Sequence, residues 1–348
     1  MTAATGDKPT TARRLRLLGV VAVLLAMVVT TSCGSDQGER VGAPPTEKVS
    51  FLTGVAVQGR ESYVYVAIEK GFFQTAGFEV EVRPGNGTVQ NLKLLQGGQV
   101  DFAVVDITGA LIEYGKKVFT DFQVVSALQQ RNLACLMALS DSGIAGPKDL
   151  AGKKIAYIPG GIVKTLFPTY ASRAGVDTST VQWVALPAQQ MGPGLAVGRV
   201  DAATQFVVGV PAVEAAVQGR EAVVMPYSDI LPDLYGNGLA VTTQALKDDP
   251  DRVQRFNDAA LKGLRYAIEH PAEAGTIYAK YQKLQPLPVA TAEIKLMAPY
   301  VRPRPGATIG ALDPEQVKRN IAVLKQAGAI KTNFKPDDVI AFDLAPKG

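Results

Sequence analysis

One short pattern occurs twice in this sequence, one hundred residues apart. "GGQVDFAVVD" occupies 97–106 and "VGRVDAATQF" occupies 197–206, and each contains Gly, any residue, Val, Asp and then an apolar run. Taken alone, either copy is explained by a common helix stop followed by the start of a strand. The alternative is that the two copies mark the same step in two similar structural units.

The segments before each copy favour two similar units. A predicted helix, an Ala-Gly turn, a strand and a second helix precede the pattern both times, with the turns at Ala76-Gly77 and Ala174-Gly175. A separation of about 100 residues is longer than the period of a solenoid repeat. Alternating strands and helices are typical of an α/β fold with a largely parallel sheet. The sequence therefore predicts two doubly wound α/β lobes, each containing one βαβαβ arrangement.

The last hundred residues have a helical pattern instead. Asp249 is a predicted N-cap with Pro250 at the first helical position. Asp313 and Pro314 repeat this arrangement, and Gln316 completes a variant of the capping box. We expect these C-terminal helices to pack over the lobes.

The amino terminus has the pattern of an export signal. Three arginines at 13–16 precede a 13-residue apolar core, Leu17 to Val29, which is too short to span a bilayer comfortably. Small residues then lead to Cys33, and this arrangement resembles the lipobox of bacterial lipoproteins, although Thr30 stands where leucine is usual. We predict a signal peptide at 1–32 and a lipidated linker at 33–47. An ordinary secretory signal and an uncleaved anchor are the alternatives.

The charge excludes a nucleic-acid surface. The formal net charge is +4, but the residues after the predicted signal peptide carry 32 basic and 31 acidic side chains. No basic run is interleaved with aromatic residues. We expect no nucleic-acid partner.

The residues needed for several kinds of catalysis are scarce. The sequence has one histidine, His270, and two cysteines, Cys33 and Cys135. These residues cannot assemble a His-based zinc site or a Ser-His-Asp triad. Cys135 lies within an apolar run and is predicted to be a buried thiol, and His270 is predicted to lie at a helix end. We expect no cofactor, no metal and no catalytic residue.

Several longer segments resemble successive motifs of the substrate-binding proteins of ABC transporters. They include "YVAIEKGFFQTAGFEVEV" (65–82), both Val-Asp segments, "GIAGPKDLAGKKIAYIPGG" (143–161) and "DPDRVQRFNDAALKGLRYAIEHPAEA" (249–274). The likeness covers nearly all of 48–345. It is specific to the group that binds thiamine-pyrimidine precursors, sulfonates, taurine and nitrate.

The resemblance implies the type 2 periplasmic-binding-protein fold, in which two α/β lobes are joined by hinge strands and hold ligand in the cleft. On this basis, 48–138 is the first segment of lobe 1, 139–237 is lobe 2, and 238–348 returns and packs mainly on lobe 1. The resemblance also implies an extracytoplasmic, lipid-anchored monomer that delivers a small solute to an ABC permease and its ATPase.

The predicted ligand contacts lie at the carboxyl ends of strands and at helix N-termini facing the cleft. The predicted set is Gln58, Arg60, Asn86, Thr88, Asp106, Thr108, Gly160, Gly161, Gln205, Phe206 and Tyr227. Alternatives are a solvated loop charge for Arg60 or Glu61, packing for Tyr227 and an N-cap role for Asp106.

The segment "DSGIAGPKDLAGKKI" is most similar to the branch that binds hydroxymethylpyrimidine-type thiamine precursors, such as hydroxymethylpyrimidine or a formylaminopyrimidine. The sequence departs from that branch in "TGVAVQGRESY" and at Gln205 and Phe206. A sulfonate, taurine, nitrate or another small organic ligand is the alternative. An extracytoplasmic sensor or adaptor domain is a second possibility, and a pyrimidine-synthesising enzyme is a third. The enzyme would require a histidine in the cleft and a Cys-rich segment.

Overall fold

The computed structural model describes residues 46–159, 161–218 and 220–347, which contain two five-stranded sheets. The first sheet consists of β1 (Glu47–Leu52), β3 (Phe78–Arg83), β5 (Phe102–Asp106), β6 (Gln123–Ala127) and β12 (Asn237–Val241). The second consists of β7 (Ala134–Leu139), β8 (Lys154–Tyr157), β9 (Gln182–Ala185), β10 (Ala202–Phe206) and β11 (Ala222–Pro226). Two short strands, β2 (Val55–Ala56) and β4 (Gly85–Asn86), pair with each other.

Helices, five of which follow the last described strand, pack on the sheets. They are α1 (Ser62–Glu69), α2 (Phe72–Thr75), α3 (Thr88–Gln96), α4 (Ile107–Gly115), α5 (Ile162–Ala174), α6 (Met191–Ala196), α7 (Val210–Ala216), α8 (Thr243–Asp248), α9 (Pro250–Glu269), α10 (Pro271–Tyr281), α11 (Leu287–Val301) and α12 (Pro314–Gln326). All six residues of β7 are buried, as expected for a central strand with both faces covered. Cys135 on this strand is fully buried, which confirms its prediction as a core thiol.

The two sheets have the same strand order. The first runs β3-β1-β5-β12-β6 and the second runs β9-β8-β10-β7-β11. In each lobe, the first strand of the βαβαβ arrangement lies between the second and the third strand of that arrangement. The third strand then pairs with an antiparallel strand that enters from the other lobe. The predicted pair of α/β lobes is therefore confirmed.

The two Val-Asp patterns take the same position in their sheets. The Asp101 Oδ2 atom accepts a hydrogen bond of 2.8 Å from the Ser50 backbone N–H on β1. The Asp201 Oδ2 atom accepts one of 2.7 Å from the Lys154 backbone N–H on β8. Each carboxylate therefore joins the start of the third strand to the first strand. The same short pattern occurs twice in the sequence because each lobe contains this junction.

A left-handed glycine follows the helix that leads into each pattern. Gly98 has a φ of 64° and Gly198 has a φ of 67°. Glycine adopts this region at little cost because it has no Cβ atom. The chain therefore leaves α3 and α6 in the same direction and enters β5 and β10 at corresponding points.

The chain crosses between the lobes twice. Residues 128–133 lead from β6 in the first sheet to β7 in the second, and 227–236 lead back from β11 to β12. The first boundary therefore precedes β7, whereas the sequence placed it after residue 138. The reason is that β7 pairs with β10 and β11, so its apolar run belongs to the second lobe.

The predicted helix caps are largely confirmed. Asp249 caps α9 by accepting a 2.8 Å hydrogen bond from the Arg252 N–H, and Asp313 caps α12. The capping-box role of Gln316 is wrong, because its side-chain amide donates to the Gln130 carbonyl instead. The single helix predicted before Gly77 is two helices, since Gly71 between them has a φ of 69°.

The C-terminal helices contact both lobes, beyond the predicted packing on lobe 1. Helices α9 and α10 pack against α1 of the first lobe. Helix α11 contacts the turn Gly59–Glu61 of the first lobe and also α7 and the turn Val207–Gly209 of the second. Helix α12 contacts both α4 and α5. Two helices therefore bridge the lobes as well as the two crossing segments.

The predicted signal peptide, Cys33 and most of the linker lie outside the described residues, as does Gly160. Among the helices that are described, none is both long enough and apolar enough to cross a membrane.

Candidate ligand-binding cleft

The ends of β5 and β10 lie beside the interlobe crossings. Asp106, the last residue of β5, pairs with Asn237, where the chain has just returned to the first lobe. Phe206, the last residue of β10, pairs with Ala134, where the chain has just entered the second lobe. Asp106 and Phe206 therefore occupy corresponding positions in the two lobes, each next to an interlobe crossing. Gln205 precedes Phe206, and both residues are half-buried.

Asp106 presents a fixed, half-buried carboxylate. Its Oδ1 atom caps α4 by accepting a 2.7 Å hydrogen bond from the Gly109 N–H. Its Oδ2 atom accepts a 2.9 Å hydrogen bond from Asn132 Nδ2. Burial raises the pKa of Asp106 from 3.8 to about 6, although these hydrogen bonds lower it. The carboxylate is therefore mostly ionised at neutral pH and combines the N-cap role with a position at the cleft.

Asn86 and Thr88 lie at the edge of the first lobe. Asn86 is exposed on β4, and the Thr88 hydroxyl accepts a 3.0 Å hydrogen bond from the Asp106 N–H. A Cβ atom at Gly85 would collide with the Thr53 carbonyl, so only glycine fits where β4 approaches the end of β1. The structure thus brings Thr88 to Asp106 at the end of β5, with Asn86 two residues before Thr88.

Arg60 is not a free loop charge. The Arg60 Nε atom donates to Glu61 Oε1 at 2.9 Å, and both residues are buried. Glu293 on α11 is also buried, and its Oε2 atom accepts a 2.6 Å hydrogen bond from the Gly59 N–H. We call Arg60, Glu61 and Glu293 the Arg60 cluster. Two carboxylates and one guanidinium leave this cluster with a surplus of negative charge when all three are ionised.

Burial opposes ionisation of both carboxylates in the Arg60 cluster. It raises the pKa of Glu61 from 4.5 to about 7, and the neighbouring Arg60 charge offsets only part of the effect. Burial also raises the pKa of Glu293. The cluster therefore binds a proton more readily than exposed glutamates do.

Replacing Glu61 by glutamine should remove a pH-dependent part of the stability. The raised pKa means that the folded chain binds a proton more tightly than the unfolded chain. The associated stability is present below pH 4.5 and is lost as the pH rises towards 7. Relative to Glu61→Gln, the unfolding free energy of the unsubstituted chain should fall by about 3 kcal/mol over that interval. Urea unfolding at several pH values measures this difference.

Glu79→Gln, at an exposed position on β3, is the control for the loss of a carboxylate. A constant difference between the unsubstituted chain and Glu61→Gln from pH 4.5 to 8 would contradict a raised pKa at Glu61.

The structure assigns other positions to Thr108 and Tyr227. The Tyr227 ring is fully buried and stacks on Tyr170 at 4.1 Å between ring centroids. Its hydroxyl donates to the Val163 carbonyl. Thr108 is also fully buried, and its hydroxyl donates to the Tyr235 carbonyl at 2.8 Å. Both were predicted to contact ligand, but their polar atoms are directed to protein partners, so they stabilise the lobe interiors.

At two other predicted ligand contacts, Gly161 and Gln58, the backbone N–H already donates to a protein partner. The Gly161 N–H donates to the Ile158 carbonyl at 2.9 Å, so it is already used in a turn at the start of α5. Gln58 is half-buried, and its backbone N–H donates to Glu61 Oε2 at 3.2 Å. Gln58 therefore helps to hold the Arg60 cluster, and its side chain remains a candidate contact.

Sequence reasoning missed Asn132 and Glu293 and considered Glu61 only as a solvated charge. Asn132 is fully buried in the first interlobe crossing, where it binds Asp106 and donates to the Tyr235 carbonyl at 2.6 Å. Asn132 lies between two clearly predicted strands, and this position was the sequence feature that could have indicated its role. Glu293 lies in an ordinary amphipathic helix, and nothing near it in the sequence points to the cleft.

The strand ends beside the interlobe crossings carry the Asp106 carboxylate in the first lobe and Gln205 and Phe206 in the second. No group of three or more His, Cys, Asp or Glu side chains among the described residues could hold a metal ion. His270 is exposed at the junction of α9 and α10, which confirms its predicted position at a helix end.

A sequence model of the NMT1/THI5-like family matches residues 61–274, which is more than half of the chain. The chain belongs to the NMT1/THI5-like family. The match includes both Val-Asp patterns, Glu61 of the Arg60 cluster, Asp106 and Phe206. The cleft of this NMT1/THI5-like protein therefore lies largely within the region that defines the family.

Three curated proteins are similar to this family member. The riboflavin-binding protein of Chloroflexus aurantiacus is 25% identical over 278 residues, covering 75% of this chain and 76% of the relative. The formylaminopyrimidine-binding protein of Halalkalibacterium halodurans is 22% identical over 258 residues, covering 73% and 76%. The 4-amino-5-hydroxymethyl-2-methylpyrimidine phosphate synthase of Aspergillus parasiticus is 24% identical over 259 residues, covering 70% and 73%.

Solved structures share the fold. The periplasmic aliphatic sulphonate-binding protein of Escherichia coli superposes with a TM-score of 0.68 at 15% identity, covering 86% of this chain and 98% of that protein. The fold of this NMT1/THI5-like protein is thus that of a periplasmic binding protein. At this identity the likeness establishes the fold alone.

Proposed function

We propose that this chain is the extracytoplasmic solute-binding component of an ABC importer and that its ligand is a small nitrogen heteroaromatic compound. The observation that carries this proposal is that Asp106 and Phe206 end corresponding strands of the two lobes, each next to an interlobe crossing. A carboxylate accepts hydrogen bonds from ring N–H and amino groups, and a phenyl ring stacks on a flat heterocycle. An aminopyrimidine offers both features.

The charge of the cleft favours such a ligand over an anion. The Asp106 carboxylate is mostly ionised at neutral pH, and the guanidinium of Arg60 is already paired with Glu61 at 2.9 Å. A sulfonate or nitrate would meet the Asp106 charge without a free cation from the Arg60 cluster. An uncharged or protonated heterocycle avoids the repulsion.

The relatives support the same ligand class. Two of them are named for binding riboflavin or a formylaminopyrimidine, and both compounds are nitrogen heteroaromatics. The similarity to a synthase raises the alternative of an enzyme. We favour binding because the only histidine in the sequence, His270, is exposed at the α9–α10 junction, where its ring lies against Tyr266.

We further propose that the protein is tethered to the membrane through Cys33. Cleavage before Cys33 and lipidation of that residue would tether the two lobes outside the membrane, where they would deliver solute as a monomer to a permease and its ATPase. Closure of the lobes around the solute would provide the form that the permease recognises.

A panel of ligands tests the proposal. We expect 4-amino-5-hydroxymethyl-2-methylpyrimidine, formylaminopyrimidine or riboflavin to raise the melting temperature and to bind in calorimetry, whereas taurine, an alkanesulfonate and nitrate should not. Stabilisation by a sulfonate alone would refute the ligand class, and conversion of a bound pyrimidine to a new product would refute the binding role.

A further inference from the structure

Arg60 has two partners in its own lobe. Its Nε atom donates to Glu61 Oε1 at 2.9 Å, and its Nη2 atom donates to the Val55 carbonyl at 3.0 Å. The Arg60 residue is only 6% exposed. The guanidinium plane is therefore held in one orientation by the first lobe.

The same guanidinium contacts the second lobe. The Arg60 Cζ atom lies 5.8 Å from the centroid of the Phe206 ring, within the range of a cation–π interaction. Phe206 is fixed at the end of β10, where the main chain pairs with Ala134 on β7. A buried, hydrogen-bonded cation of one lobe thus meets an aromatic ring at a strand end of the other.

We propose that Arg60 is an interlobe latch, a positioning residue that holds the Phe206 ring, and with it the second lobe, against the first lobe. This role replaces the direct ligand contact predicted for Arg60 from the sequence. Its consequence for solute capture rests on the proposed function, because the ring that the latch holds is the one that would stack on the ligand. The contact between the lobes itself requires no ligand.

The Arg60 cluster explains why an arginine is needed at the latch. The planar fork of arginine can donate to Glu61 and to the Val55 carbonyl while its face remains directed at a ring. Lysine has one compact ammonium group and cannot fix a plane in this way. Glu293 fixes the turn that carries Arg60 by accepting from the Gly59 N–H.

Distance measurements between spin labels test the latch in the ligand-free protein. Val118 and Val197 are exposed, lie in different lobes and are suited to substitution with cysteine for labelling. Cys33→Ser removes the remaining cysteine outside the described residues, and Cys135 is fully buried. In Phe206→Leu we expect the ratio of separated to closed lobes to rise about tenfold, equivalent to about 1.4 kcal/mol.

Two further variants make the result specific to the latch. Phe206→Tyr keeps an aromatic ring and should keep the closed distance. Arg60→Met combined with Glu61→Gln removes one positive and one negative charge from the cluster and should separate the lobes as Phe206→Leu does. Arg304→Met, at an exposed arginine, is the control for the loss of a guanidinium and should change nothing.

The distance distribution decides between the outcomes. If Phe206→Leu remains folded and keeps the distance distribution of the unsubstituted protein, Arg60 is not a latch. Because no solute is present, this result would leave the proposed ligand class untouched. Equally, a failure of every pyrimidine to bind would not alter the expected separation of the lobes.

Discussion

Replacing Asp106 by asparagine should weaken the binding of an aminopyrimidine by about 10- to 100-fold. The carboxylate is expected to accept a charge-assisted hydrogen bond from the ligand, and the amide cannot replace its charge. Asparagine can keep the cap on the Gly109 N–H through its own oxygen. Its amino group, however, would face Asn132 Nδ2, which cannot turn away because Asn132 Oδ1 accepts from the Ala134 N–H at 2.8 Å. Calorimetric titration measures the affinity.

Asp201→Asn is the matched control for Asp106→Asn. Asp201 lies at the opposite end of β10 from Phe206 and binds the Lys154 N–H, so the same chemical change occurs away from the cleft. Asp201→Asn should leave the affinity within about twofold, which corresponds to less than about 0.5 kcal/mol. Equal affinities for Asp106→Asn and the unsubstituted chain would remove Asp106 from the ligand site.

Phe256→Ala should lower the free energy of unfolding by about 4 kcal/mol. Phe256 is fully buried on α9, and its ring stacks on Phe102 of β5 at 3.6 Å and on Phe73 at 4.9 Å. It also contacts Phe51 and Phe78. The substitution leaves a cavity among four aromatic rings and removes the aromatic contacts of α9 with the first sheet. Because proteins of this kind are stable by only about 5–15 kcal/mol, the loss is severe.

Urea unfolding measured with two probes follows this loss in each lobe. The single tryptophan, Trp183, lies in the second lobe, whereas circular dichroism reports on both lobes. If the lobes unfold together, both midpoints should shift equally. Phe72→Ala is the control, because Phe72 is adjacent in sequence to a member of the cluster but only partly buried. A shift for Phe256→Ala no larger than that for Phe72→Ala would contradict the cluster's role.

The lobes were predictable from the sequence because their signals are local. Strand alternation, helix stops such as Gly98 and caps such as Asp249 depend on residues close in the chain, and each lies where the pattern indicates. The ends of β5 and β10 were predictable for the same reason. The amino-acid pattern was therefore enough to place Asp106 and Phe206 at the ends of these strands.

The Arg60 cluster was not predictable because it is assembled from distant segments. Gly59 and Glu293 are 234 residues apart in sequence, yet they share a hydrogen bond. A short-range pattern gives no sign that a glutamate on α11 will meet this turn. Tyr227 shows the converse error: it follows a strand, as a cleft residue should, but the turn Tyr227–Asp229 directs its ring into the lobe core.

Because the chain crosses between the lobes twice, the two sheets are completed at different times during synthesis and export. All strands of the second sheet lie between Ala134 and Pro226, so this sheet is complete as soon as one continuous stretch has emerged. The first sheet must wait for β12, which follows the second sheet in the chain and lies between β5 and β6. Until β12 arrives, β5 and β6 have unpaired edges, which are prone to aggregation. The outer edge of β6 is covered later still, when the Ala127 N–H binds the Gly310 carbonyl and the Val124 N–H binds the Val339 carbonyl. The first lobe of a nascent chain is therefore vulnerable for longer than the second.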